Sequence, residues 1–299
     1  MTVVVPSRAT ARGAWAAGAG YLLWGLFPLY WRQLAAIDTR ELIAHRIVWS
    51  LAFVAAITAL IGGWAEVRAA LGSARLLGLN LLSSVLLTTN WLVYVWGINH
   101  GHILETSLGY FLLPLVNVAL GRLVLRENLR RTQWIAVSLA ATGVLFQIVQ
   151  LGRLPWIALT VAVTFSTYGL LRKRSSLGPL TGLTLETALL TPVAVAYLWW
   201  CYHDGTGALG RVDLRHHALI LSAGVITAVP LLLFAYGARR ITLTTLGLLQ
   251  YLTPTVTLFL GVLVYHEPFG HERFFSFALI WLGLALYTAD NLRTLARNQ

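Results

Sequence analysis

Leu108-Gly-Tyr-Phe-Leu-Leu-Pro114-Leu-Val-Asn-Val-Ala-Leu-Gly121-Arg-Leu-Val124 is answered 140 residues later by Leu248-Leu-Gln-Tyr-Leu-Thr-Pro254-Thr-Val-Thr-Leu-Phe-Leu-Gly261-Val-Leu-Val264, aligned without a gap. Further along, Glu127 matches Glu267, Leu139 matches Leu279 and Gly143 matches Gly283. Matches of Leu and Val are cheap in apolar sequence, whereas Pro, Gly, Glu and Gly at fixed spacing are not. Each window is apolar over roughly the 20 residues that a helix needs to cross about 30 Å of hydrocarbon. The pattern is that of a duplicated set of membrane helices.

Working outward, ten apolar runs bounded by charge or turn residues are placed near 13–31, 42–61, 76–98, 103–125, 134–149, 156–171, 180–202, 218–237, 243–265 and 274–288. This predicts an all-α integral membrane fold of ten transmembrane helices, built as two five-helix repeats. Residues 1–12 are read as a tail, 13–150 as the first repeat, 151–290 as the second and 291–299 as a second tail. An odd number of helices per repeat forces the halves into opposite orientations, the inverted plan that lets a midplane cavity face either side in turn. A duplicated bundle with another task is the competing reading.

Composition agrees. Of 299 residues 58% are hydrophobic and 11% charged, against roughly 25% charged in a soluble domain, which excludes a soluble enzyme. The net charge of +11 comes from pairs and triplets of arginine between apolar runs. It forms no single stripe, so nucleic acid is excluded as a partner. Fifteen basic residues fall on the side of the termini and six on the other, with Arg46 inside a span. By the positive-inside rule both termini are cytoplasmic. Arg8 and Arg12 precede an apolar stretch longer than a signal-peptide core, which reads as an anchor. The single cysteine, Cys201, excludes an intrachain disulfide and a thiolate metal cluster, and no cofactor or metal is expected.

The string Glu105-Thr-Ser-Leu-Gly-Tyr-Phe-Leu-Leu-Pro114-Leu-Val-Asn117, followed by Leu125-Arg-Glu127 and Gly143, resembles the RarD branch of the EamA-type transporters in the drug/metabolite transporter superfamily. Trp24-Gly-Leu-Phe-Pro28-Leu-Tyr-Trp31, His45-Arg-Ile-Val-Trp49-Ser50, Tyr168-Gly-Leu-Leu-Arg172-Lys173, Glu186 with Pro192, and Leu252-Thr-Pro254-Thr255 extend the likeness over nearly the whole chain. The resemblance implies a ten-helix permease of the cytoplasmic membrane with a central cavity, for a solute such as an amino acid, another metabolite or a drug. Leu112-Leu113 departs from the Ile-Asn expected in relatives, removing an amide near the helix break.

Ionisable side chains inside spans cost about 2.5–3.5 kcal/mol at a helix centre on insertion scales, so His45, Arg46, Glu105 and Glu186 are the first candidates. Arg46 and Glu105 enter from the outer side at similar depth and are expected to pair. The guanidinium would hold Glu105 ionised until a proton or solute displaces it, or grip an anionic or zwitterionic solute itself. A static ion pair, or snorkelling to the interface, is the alternative. The offset maps Arg46 onto Glu186, which suggests one polar gate at each end of a pathway. His45 is read as a proton relay or as a structural histidine. Trp24, Trp49, Trp91, Tyr94, Tyr110, Tyr168 and Tyr251, interleaved with Asn90, Asn117 and Gln250, fit an apolar lining with a few polar anchors. Each is equally at home in helix packing. Pro28, Pro114, Pro192 and Pro254 are hinge or kink points, and Gly121 with Gly261 a close-packing pair.

The function expected is a secondary-active permease for a small organic solute, working as a monomer in the bilayer, with protons as a candidate coupling ion. No Gly-x-x-x-x-Gly-Lys loop supports ATP-driven pumping. A lipid-modifying membrane enzyme, with His45 and Glu105 as base and partner, and a non-transporting sensor are the alternatives. The first lacks a nucleophile with its base; the second has little docking surface outside the bilayer.

Overall fold

The computed structural model describes residues 8–100, 102–266 and 271–296. They form α1 (Arg8–Trp31), α2 (Thr39–Leu60), α3 (Trp64–Leu71), α4 (Ala74–Asn99), α5 (Ile103–Val124), α6 (Arg131–Leu151), α7 (Trp156–Arg174), α8 (Pro179–His203), α9 (Leu214–Ala238), α10 (Leu243–Leu249), α11 (Leu252–Phe259) and α12 (His271–Ala296). A π-helical turn, Leu260–Val264, extends α11. No strand occurs among the described residues.

Seven segments are long and apolar enough to cross a membrane: α2, α4, α5, α6, α8, α9 and the α10–α11 unit with its π turn. The remaining long helices, α1, α7 and α12, have 24, 19 and 26 residues. They pack along that set, α1 on α9 and α11, α7 on α4 and α5, and α12 on α6.

The duplication is reproduced element by element. Helices begin at 39 and 179, at 74 and 214, at 103 and 243, and at 131 and 271, each pair 140 residues apart. Neighbours repeat as well: α5 lies on α7 as α10–α11 lies on α1, and α4 lies on α7 as α9 lies on α1. Pairs that the offset maps onto each other, α2 with α8 and α6 with α12, pack together, as helices beside a two-fold axis must. Even the strained backbone is duplicated, because the two non-glycine residues with positive φ among the described residues, Arg126 at 56° and His266 at 52°, are 140 apart. Glu267, the partner expected for Glu127, lies outside the described residues.

Two glycines show the mirrored packing of α6 on α12. A Cβ on Gly143 would sit 2.8 Å from the Ser276 carbonyl oxygen, and one on Gly283 would sit 2.6 Å from that of Ala136. The offset exchanges these two contacts. Gly121 differs from expectation: its Cβ would meet the Glu127 carboxylate at 2.7 Å, so it makes room for a side chain of its own loop.

Three local features depart from the sequence reading. Residues 8–12, expected in a tail, already form the first turns of α1, and α12 runs to Ala296 beyond its expected end. A short helix, α3, lies in the connection between the second and third apolar runs, where no helix was placed. The two paired prolines, both expected as hinge or kink points, differ: α5 passes through Pro114 unbroken, whereas α10 and α11 are divided at Gln250 and Tyr251, whose backbone angles stay in the right-handed helical region. Pro254 has no N–H for the Gln250 carbonyl, which takes the Thr253 N–H instead at 3.0 Å. Pro28 and Pro192, with Pro230, stand inside continuous helices.

Candidate functional site

Where α2, α4, α8 and α9 meet, a closed cavity of about 10 Å³ has room for about one water. Its lining is itself duplicated. Arg46 and Glu186, Ile47 and Thr187, Ser50 and Leu190, Leu87 and Thr227, and Trp91 and Leu231 all face it, five pairs related by the offset. The cavity therefore lies on the axis between the repeats.

The two sides of this axis carry opposite charge. Glu186 on α8 is buried, with Arg172 Nη1 3.4 Å from Oε1 and the Tyr168 hydroxyl 3.3 Å from Oε2. Both partners come from α7. Arg172 also donates to the carbonyls of Gly178 at 3.3 Å and Pro179 at 3.4 Å. Gly182 is required there, since a Cβ would lie 2.0 Å from Nη1. Tyr168 stacks on Phe234 at 5.9 Å and 13°, which fixes its ring while the hydroxyl points at Glu186.

Arg46 on α2 is held differently. Its Nε donates to Thr227 Oγ1 at 3.0 Å, and the guanidinium carbon lies 4.8 Å from the Trp31 ring and 4.3 Å from the Trp91 ring. Flanking indoles favour a cation through their π faces but supply no counter-charge. Among the described residues no carboxylate comes within ion-pair distance of Arg46.

The expected pair of Arg46 with Glu105 is not formed. Glu105 Oε1 accepts the Ile157 N–H at 2.8 Å, and Arg153 is 3.0 Å from Oε2. This places Glu105 at the head of α7, where a carboxylate meets unpaired backbone N–H groups and the positive end of the helix dipole. Other acids do the same. Glu66 accepts Gly178 N at 3.2 Å and Thr181 Oγ1 at 2.6 Å at the head of α8. Glu127 accepts Leu243 N at 2.6 Å, Thr244 N at 3.0 Å and Thr244 Oγ1 at 2.8 Å at the head of α10. Asp38 and Asp213 cap α2 and α9. Among the described acids, Glu186 is the one that faces the cavity.

The remaining candidates lie around this centre. His45 is buried on α2 with Nε2 3.6 Å from Glu41 Oε1, and Glu41 itself accepts Ala208 N at 2.6 Å. Trp49 packs with Leu34 and Ile220 away from the cavity, and Gly224 is needed there because its Cβ would fall 2.2 Å from the Trp49 carbonyl carbon. Asn90 ties α4 to α7 through Val161 O at 2.8 Å and Thr164 Oγ1 at 3.2 Å. Tyr94 and Tyr110 form an edge-to-face pair at 5.3 Å. Asn117 donates to Gln250 Oε1 at 3.2 Å, and the Tyr251 hydroxyl donates to Phe111 O at 3.2 Å, two links between α5 and the broken helix. Trp24 packs edge-on to Phe165.

Arg172, Thr227 and Trp31 were not singled out from sequence as site residues. Arg172 stands in an Arg-Lys-Arg triplet and was counted among the cytoplasmic loop charges; it is buried. Its spacing of four from Tyr168, one helical turn, was the available signal. A larger apolar crevice of about 410 Å³ between Ala16, Pro179, Leu232 and Tyr236 is open to the outside and lined by no charged residue.

The family model described as the EamA-like transporter family matches residues 11–149 and again 154–289. A transporter of Bacillus subtilis named YojE is 43% identical over 95% of this chain and 96% of its own. Protein RarD of Streptomyces exfoliatus is 42% identical over 93% of this chain and 89% of its own. A solved crystal structure superposes with a TM-score of 0.72 at 21% identity, covering 95% of this chain and 98% of that one. At that identity the superposition speaks to fold alone.

Proposed function

Because the chain belongs to the EamA-like transporter family, we propose that it is a secondary-active permease carrying a small organic solute, amino-acid-like or amphipathic, across the bacterial cytoplasmic membrane by alternating access. The observation that carries this reading is the duplicated lining of the central cavity, with Arg46 and Glu186 at equivalent places in the two repeats. A cavity on the axis of two inverted halves opens to one side when the halves rock one way and to the other when they rock back.

In this mechanism all ten long helices cross the bilayer, both termini are cytoplasmic and one chain suffices. The Arg172–Glu186 pair closes the cytoplasmic end, and Arg46 between Trp31 and Trp91 closes the outer end. Glu186 exchanges its bond to Arg172 for a proton or for the solute during the cycle. Glu105, which caps α7, and His45, which faces Glu41, lack the adjacent nucleophile that a lipid-modifying enzyme would need.

The test is transport by purified protein in liposomes. Uptake of amino acids, other metabolites and amphiphilic drugs is followed with and without a pH gradient, beside Arg46→Ala and Glu186→Gln. Solute-dependent uptake that both variants abolish is expected. Uptake indifferent to both substitutions would move the pathway away from this cavity, and no uptake of any compound would favour the sensor reading.

A further inference from the structure

We infer that Arg46 is the anchor of a carboxylate-binding subsite, so that the solutes carried are organic acids or zwitterions with a free carboxylate. The inference deepens the permease reading above and rests on it for the transport step, while the binding step stands alone.

The argument begins from charge. Arg46 and Glu186 both line the cavity, but Glu186 is already engaged by Arg172, which lies outside that lining, and by Tyr168, so the charge of Arg46 is left unmatched there. Partly buried cations are normally matched by an acid, and Arg46 has none among the described residues. The repeat sharpens this point. In the second half, position 172 is arginine and position 186 is glutamate, and the two pair. The equivalent positions in the first half are Arg32 and Arg46, two cations. Arg32 is exposed and stacks on Tyr265 at 4.4 Å. The fold thus keeps an ion-pair slot on both sides of its axis and supplies the anion on one.

Geometry selects the kind of anion. Thr227 takes the Nε hydrogen of Arg46, while the guanidinium carbon lies over the Trp31 and Trp91 rings. With its Nε edge engaged, the guanidinium presents its remaining N–H edge as a fork, which matches the two oxygens of a carboxylate. The apolar residues around it, Leu87, Leu183 and Leu231 among them, favour an organic body over a hydrated inorganic ion once the cavity, which now has room for about one water, widens to admit it.

The experiment titrates purified protein in detergent with propionate, 3-phenylpropionate, alanine and phenylalanine, and with the primary amide of each, reading intrinsic tryptophan fluorescence. Trp31 and Trp91 flank the guanidinium and are the reporters. At least one acid is expected to bind roughly tenfold to hundredfold tighter than its amide, the range of a lost charge-assisted hydrogen bond. Arg46→Gln is expected to erase that preference, and Arg46→Lys to restore part of it. Size-exclusion profiles matching the parent protein show that the variants are folded.

Equal binding of acid and amide, or an unchanged preference in Arg46→Gln, overturns the inference. So does saturation by chloride or phosphate without a response to any of the four acids, or no response to any compound. Transport of amides that ignores Arg46→Gln would leave the permease standing and sink the carboxylate subsite. Carboxylate binding without transport in liposomes would do the reverse.

Discussion

Removing Arg172 alone is expected to damage the protein more than removing Arg172 and Glu186 together. The Arg172 guanidinium is buried, and besides Glu186 it satisfies the carbonyls of Gly178 and Pro179. Arg172→Met leaves the buried Glu186 carboxylate without its paired cation, with the Tyr168 hydroxyl at 3.3 Å and the Ser83 side chain as its remaining partners. Breaking a buried pair by deleting one partner costs about 3–5 kcal/mol. The bonds here are long, 3.3–3.4 Å, which places the expectation near the lower end, about 3 kcal/mol. Glu186→Gln removes the charge while keeping the shape, and should cost about 1.5–3 kcal/mol. In the double variant no uncompensated charge remains, so it should be more stable than Arg172→Met by about 1–2 kcal/mol. Thermal midpoints in detergent, taken at one scan rate because such unfolding is commonly irreversible, provide the readout. On the soluble-protein scale, 3 kcal/mol corresponds to a fall of roughly 6–12 °C. Gly182→Ala is a second route to the same break, since its methyl would displace the guanidinium, and it should lower the midpoint similarly. A double variant that falls below both singles, with losses simply adding, would refute the pair.

Glu105→Gln should lower the midpoint by about 1 kcal/mol, the worth of a helix cap, while carboxylate affinity stays unchanged; altered affinity at an unchanged midpoint would return Glu105 to the gate. Gly143→Ala and Gly283→Ala each bring a methyl to within 2.8 Å and 2.6 Å of a carbonyl oxygen across α6 and α12. Each should cost about 1–3 kcal/mol, and a free pass for one alone would contradict the mirrored packing. Asp213 is held below the usual carboxylate range by the His216 backbone N–H and side chain. A depressed folded pKa contributes stability that is present above the unfolded value of about 3.9 and is lost as pH falls through the folded value. Amide exchange at the head of α9 should therefore quicken below about pH 4, and Asp213→Asn should abolish that dependence; a pH response surviving in the variant assigns it elsewhere.

The fold was legible because its signals are long-range and redundant. Apolar runs of membrane length, the spaced Pro, Gly and Glu matches and the alternation of basic loops all point the same way, and the structure repeats its helices at the same offset. The site was legible only in part. Arg46 and Glu186 stood out as charges in apolar runs, and both face the cavity. Glu105 carries the same signal for a different reason: periodicity places it in the first turn of α5 but cannot show that the head of α7 lies 2.8 Å away. Arg172 was hidden by the opposite effect. A cation at the end of an apolar run, in a basic triplet, looks like a loop residue, and only the approach of α8 at Gly182 reveals that it turns inward.

Pro114 and Pro254 delete the same backbone bond at equivalent places, yet only the second stands at a broken helix. Proline alone is therefore not the cause. The difference lies in what surrounds each segment. Gln250 receives a bond from Asn117, Tyr251 donates to the Phe111 carbonyl, and Glu127 fixes the head of α10 with three bonds. Those contacts surround the lapse in helical hydrogen bonding, whose two residues keep right-handed helical backbone angles, while α5 remains continuous. Two copies of one sequence plan thus differ in their helical hydrogen bonding at this place. In a transporter working by alternating access, inverted halves exchange shapes when the cavity changes sides. On the alternating-access reading proposed above, the Asn117–Gln250 and Tyr251–Phe111 bonds are contacts on which such an exchange would act. Because both bonds cross between the repeats, such an exchange would couple the shape of one half to that of the other.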